Sequence, residues 1–108
     1  MNLATLHNDD GSIEICFDGL EDWNYSVLIG QLLVNKERCT VLEVNELDMI
    51  TDTAIDVHMK LDNIPFIFRR DDAFGNRLCA SDSQYMSQLE CLANRILEHI
   101  DIERLTEQ

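Results

Sequence analysis

Residues 53–68 read TAIDVHMKLDNIPFIF, and this stretch decides the fold class. Thr53, Ile55, Val57, Met59 and Leu61 alternate with Ala54, Asp56, His58 and Lys60. A period of two puts each set on its own side of a pleated strand. One side is therefore expected to be buried and the other solvated, as in an antiparallel sheet with a wet face. Asp62 and Asn63 tolerate the positive φ of a two-residue hairpin. Ile64, Phe66 and Phe68 continue the buried side on the return strand. Pro65 cannot donate a ladder hydrogen bond, which predicts an edge or a strand start there.

Upstream, Ser12 to Asp18 alternates in the same way. Ile13, Ile15 and Phe17 face one side, and Glu14, Cys16 and Asp18 the other. From Leu20 to Asn35 the spacing becomes helical. Trp23, Val27, Gly30 and Val34 form one stripe, widened by Leu28 and Leu32 and by Tyr25, Ile29 and Leu33. An apolar face that broad predicts a helix packed on a sheet. Asp18 and Glu21 have the spacing of a capping pair, and Lys36 and Arg38 suit the helix C-terminus. Cys39 to Asn45 reads as a further strand, with Leu42 and Val44 on one side and Val41, Glu43 and Asn45 on the other. Residues 46–52 read as a connection.

Downstream, residues 71–76 form a turn around Gly75, and Arg77 to Ala80 is a short strand. Ser81 and Gln84 have capping-box spacing. A helix then runs to about Ile100, with Tyr85, Leu89, Leu92, Ala93, Ile96 and Ile100 in one stripe. Residues 101–108 extend this helix or fray. The order is β-α-β-β-β-β-α. The expected fold is α+β: a two-layer sandwich of a mainly antiparallel sheet of about five strands and two helices, one domain over residues 1–108. The β-α-β opening would place its two strands parallel through a right-handed crossover.

Charge is the unusual property of the composition. Twenty-one acids against 8 bases give −13 at pH 7. Phosphate backbones and anionic membrane surfaces call for clustered Lys and Arg, so neither nucleic acid nor membrane is expected as a partner. A basic protein fits better. No apolar run reaches membrane-spanning length, and the first eleven residues carry Asp9 and Asp10 where a secretory leader would carry bases. A cytoplasmic location is the expectation. Cys16, Cys39, Cys79 and Cys91 are widely spaced, with no C-x-x-C pair, and are expected to be small buried hydrophobes without a metal.

Chemistry-bearing motifs are few. No glycine-rich phosphate loop, nucleophile elbow, HExxH or calcium loop occurs, so no cofactor, metal or enzymatic activity is expected. His58 lies two residues from Asp56, a spacing that permits acid–base work but is also ordinary on a solvated strand. His7 is placed in a mobile end and His99 on the exposed side of the last helix. Arg69-Arg70-Asp71-Asp72 reads as a self-neutralising turn.

The acids are unevenly distributed. Through residue 62 there are thirteen acids against three bases, and from residue 63 eight against five. Glu43, Glu46, Asp48, Asp52, Asp56 and Asp62, with His58, follow the second and third predicted strands and form the expected partner-binding patch. In size, charge and α+β layout the whole chain resembles bacterial immunity proteins. That resemblance implies an inhibitor of a nuclease toxin, whose cationic cleft the acidic face would occlude. No motif carries it, so no family residues are transferred. The alternative expectation is a homodimeric structural protein that associates through an edge strand or a helix face.

Overall fold

The computed structural model describes residues 2–48, 53–71 and 75–106. The chain runs through β1 (Asn2–His7), β2 (Ile13–Asp18), α1 (Trp23–Asn35), β3 (Thr40–Asp48), β4 (Thr53–Leu61), β5 (Ile64–Asp71) and β6 (Gly75–Ala80). A 3₁₀ turn at Ser83–Tyr85 leads into α2 (Met86–Thr106). The strands form one sheet in the order β1-β2-β6-β5-β4-β3, with every neighbouring pair antiparallel. The α+β architecture read from the alternating and helical spacings is the one that forms, with one strand more.

The added strand is β1, an edge. Leu3 and Thr5 are half-buried, whereas Asn2, Ala4 and Leu6 are exposed. With one apolar residue on the inward side, its alternation is too weak to stand out. His7 closes this strand opposite Ile13 and is not a loose end. The two strands of the β-α-β opening are parallel but not adjacent. β2 and β3 point the same way, but β6, β5 and β4 lie between them. Segment β2–α1–β3 therefore spans the sheet from near one edge to the other.

One face of the sheet is packed by the helices. Ile13, Ile15 and Phe17 of β2, Phe66 and Phe68 of β5 and Leu78 of β6 meet Ile29, Leu32 and Leu33 of α1. Leu89, Leu92, Ala93, Ile96 and Ile100 of α2 join the same cluster. Burying each large side chain of this kind stabilises the fold by about 1.5–3 kcal/mol. A buried polar node pins α1 to β6. Asn76 Nδ2 donates to the Leu20 carbonyl at 2.7 Å, and Ser26 Oγ donates to Asn76 Oδ1 at 2.7 Å. At the other end of α1, Glu37 accepts from Arg95 Nε at 2.7 Å and lies 3.4 Å from His99 Nε2. This draws His99 into a half-buried position in place of the exposed one expected.

Both helix starts differ from the capping patterns read in sequence. Gly19, at φ 86°, turns the chain after β2, and Glu21 accepts from the Gly19 N–H at 3.0 Å. Asp18 and Glu21 thus form no capping pair, and α1 begins behind Asp22. At the second helix the cap is Asp82, one residue after Ser81. Its carboxylate accepts from the Gln84 N–H and from Gln84 Nε2, both at 2.9 Å.

Two sheet irregularities matter for the surface. Pro65 sits in an interior strand opposite Lys60 of β4, but β6 pairs β5 only from Ile67 onward, so on the β6 side no ladder partner stands beside it. In β3 the register shifts between Val41 and Glu43. Leu42 is the extra residue of a bulge. Val41 therefore joins Val44 on the helix side, and Glu43 and Asn45 take the open side, unlike the simple alternation expected. The cysteines divide as well: Cys39 and Cys79 are buried, Cys16 is half-buried, and Cys91 is exposed on α2.

Candidate functional site

The β3–β4 end of the sheet carries the residues expected to bind a partner, and its two sides differ in character. On the open side, cross-strand pairs consume most of the charge. Arg69 on β5 faces Asp56 on β4 and binds it through two charge-assisted hydrogen bonds, Nε to Oδ1 at 2.7 Å and Nη2 to Oδ2 at 2.8 Å. This contact holds the Arg69 guanidinium well above its ordinary range. Further along the same side, Arg77 pairs with Glu14 and reaches Asp71 at 3.5 Å. The Arg69–Asp71 run is thus not a self-contained turn: it lies on β5, Arg69 and Asp71 pair across strands, and Arg70 reaches Trp23 and Ser26 of α1. Asp72 lies outside the described residues.

The wet face expected on β4 is only partly wet. Asp56 is 6% exposed and Ala54 is 2% exposed. Asp56 is closed off by Arg69 at its side. His58 is half-buried, and its Nε2 lies 3.3 Å from Asn45 Nδ2. The Asp56–His58 couple imagined from their spacing is therefore divided, each residue engaging a different neighbour.

The remaining acids scatter. Glu43 is exposed on the open side of β3, opposite His58, whereas Glu46 is exposed on the helix side, opposite Ile55. Asp62 caps the β4–β5 hairpin at φ 54°, as the two-residue turn required. Asp48 ends β3 opposite Thr53, with its side chain outside the described ones, and Asp52 lies outside the described residues. Asp48 and Asp62 mark opposite ends of the nine-residue β4, roughly 25–30 Å apart at 3.3 Å per residue. The acids thus rim the β3–β4 end and do not form one patch.

On the helix side of the same strands lies an apolar groove of about 280 Å³. Trp23, Val27 and Gly30 of α1 form its wall, and Ile55, Val57 and Met59 of β4 its floor. Arg70 closes one end, its guanidinium 3.4 Å from the centre of the Trp23 ring. Of the stripe Trp23–Val27–Gly30–Val34, expected to join the core, the first three residues instead border this groove and Val34 is exposed. Trp23 is 50% exposed and Val27 47%. The clue in the sequence was an apolar face on α1 wider than one sheet contact can cover.

The thiols are quiet. Burial pushes Cys79 and Cys39 up to about 11 and raises Cys16, so these three stay protonated and weakly nucleophilic at neutral pH. Among the described residues no group of three or more His, Cys, Asp or Glu is arranged to hold a metal ion. None of their helices is long and apolar enough to cross a membrane. No family model, curated protein or solved structure matches the chain.

Proposed function

We propose that this chain is an acidic binding protein that neutralises a basic partner, in the manner of a bacterial immunity protein inhibiting a nuclease toxin. The observation that carries this reading is the net charge of −13. It is joined to exposed carboxylates at Glu43, Glu46 and Asp62 around one end of the sheet. A nuclease cleft is lined with Lys and Arg to hold phosphates. Carboxylates presented on a rigid sheet rim imitate that charge, speed encounter and fill the cleft. Asp56 has a supporting part in this reading, because Arg69 already neutralises it.

The test is a titration against basic nuclease domains, following both nuclease activity and association rate. Inhibition is expected, with an association rate that falls steeply as salt rises from about 0.1 M to about 1 M and the screening length shrinks from ~10 to ~3 Å. Reversing charge at Glu43 and Glu46 to Lys should slow association further. Binding that ignores both salt and these reversals would overturn the reading.

A further inference from the structure

The sheet ends in two edge strands, β1 on one side and β3 on the other, and they differ. β1 carries neither acid nor base from Asn2 to Leu6. β3 is nine residues long. It presents Leu42 and Val44, each 58% exposed, together with the exposed carboxylates of Glu43 and Glu46. Among the described residues, no backbone hydrogen bond reaches Thr40–Asp48 from any element but β4. In an antiparallel ladder, every second residue of an edge strand turns its N–H and C=O away from its one neighbour. The bulge at Leu42 interrupts the start of the strand. Beyond it, residues 43–48 pair one for one with residues 53–58. That regular run of six residues is about 20 Å long, and half of them turn donor and acceptor outward.

Edges of this kind pair with any extended chain that fits them, and proteins guard them with charge. Here the guard is acidic. Asp56 is held by Arg69, and Glu14 and Asp71 by Arg77. No such ion pair holds Glu43 or Glu46 among the described residues. Glu43 stands on the open side and Glu46 on the helix side, so an added strand meets one carboxylate on each of its own sides. Charge selects the occupant. A second β3 would bring Glu43 and Glu46 of both chains to one seam, between molecules of −13 each, and like charges gathered at an interface oppose it. A strand bearing Lys or Arg gains from the same two carboxylates.

Resting on the reading of this chain as an acidic binder of a basic protein, we propose that the partner docks by adding an extended strand to β3, antiparallel to residues 43–48. Main-chain bonds along the edge supply affinity, and the flanking side chains select sequence. The antiparallel register sets the pattern. Read from the partner's amino end, a base stands opposite Glu46, any residue opposite Asn45, an apolar residue opposite Val44 and a second base opposite Glu43. The recognised segment is therefore basic–any–apolar–basic, with its two bases on opposite sides of the strand. The groove beside α1 takes no part in this contact.

The probe is a capped peptide, Thr-Thr-Lys-Thr-Val-Lys-Thr-Thr, titrated to millimolar concentration into the full isotope-labelled chain. Amide hydrogen exchange followed by NMR should slow by about 10-fold or more at alternate residues of the 43–48 run, as the outward N–H groups gain partners. Two further peptides, N-methylated at alternate residues in opposite phase, keep both charges. One phase removes the donors that face β3 and should weaken binding about 10-fold or more, whereas the other should change it little. Glu43→Lys with Glu46→Lys should also weaken binding about 10-fold or more, with circular dichroism confirming that the variant folds. Unchanged exchange on β3, or equal binding by the two methylated peptides, overturns the proposal. The nuclease titration is read separately. Inhibition without slowed exchange on β3 removes this docking mode and leaves the acidic reading standing. Slowed exchange with the peptide, but no basic nuclease inhibited, removes that reading and leaves β3 as a docking edge.

Discussion

Replacing Arg69 with Met keeps the aliphatic stem and removes the guanidinium from the Asp56 carboxylate. Asp56 then loses two charge-assisted hydrogen bonds, at 2.7 and 2.8 Å. The expected cost lies between two limits. Exposed ion pairs contribute about 0–1 kcal/mol, and removing one partner of a buried pair costs about 3–5 kcal/mol. The Asp56 side chain is 8% exposed and that of Arg69 32%, which places Arg69→Met at about 2–3 kcal/mol. For a chain of 108 residues this lowers Tm by about 10 °C. Changing both residues, Asp56→Leu with Arg69→Met, removes the stranded charge and should restore most of the loss. Urea denaturation followed by circular dichroism measures all three variants, and the double-mutant cycle isolates a coupling of about 2 kcal/mol. A loss below about 0.5 kcal/mol for Arg69→Met, or strict additivity in the double variant, would refute the argument. Asp56 would then be available to a partner, as its place in the sequence first implied.

Three further outcomes follow from the same geometry. Gly75→Ala should destabilise by about 2–3 kcal/mol, because φ is 77° and the new Cβ would lie 2.8 Å from Glu21 Cγ. Gly11→Ala, with φ 88° and open space around it, should cost only the left-handed strain of about 1–2 kcal/mol, and paired thermal melts compare the two. Asn76→Ala takes the donor from the Leu20 carbonyl and the acceptor from the Ser26 hydroxyl proton, while Ser26 Oγ keeps its bond from Arg70 Nε, and should cost about 2–3 kcal/mol in denaturant titrations. Burial raises Cys39 and Cys79 from 9.0 to about 11, so the unfolded chain ionises first. The stability they contribute is full below pH 9 and declines as pH rises from 9 toward 11. Melts across that range should show the decline, and a Cys39→Ala/Cys79→Ala variant should flatten it.

The elements with strong periodicity could be read from the residues. The β4–β5 hairpin, the inward side of β2 and the stripe of α2 all follow from spacing, because each has one face that a core demands. What escaped depended on contacts distant in sequence. Nothing within residues 2–7 announces a strand until β2 pairs with it. The bulge at Leu42 shows only in the register against β4, and it reverses which residues share a side. The fate of the acids was equally hidden. Asp56 looks like any exposed carboxylate until Arg69, thirteen positions away, is seen across the ladder. Glu43 and Glu46 look like companions until the pleat separates them. The breadth of the apolar face on α1 was visible, but only the packing shows that Trp23, Val27 and Val34 remain exposed.

The strand order has a consequence for how the chain reaches this state. The β1–β2 pair and the run from β3 to β6 are each built from near neighbours in sequence, and they meet along a single seam. That seam is β2 against β6, where Ile13 pairs with Ala80 and Cys16 with Arg77. Closing it requires a loop of more than sixty residues, the slow kind of step in sheet assembly. During synthesis the amino-terminal hairpin and α1 must therefore wait, their apolar sides uncovered, until residue 80 has left the ribosome. In the finished molecule α2 lies across this seam, packing on both β2 and β6, so the last join to form becomes one of the most deeply buried.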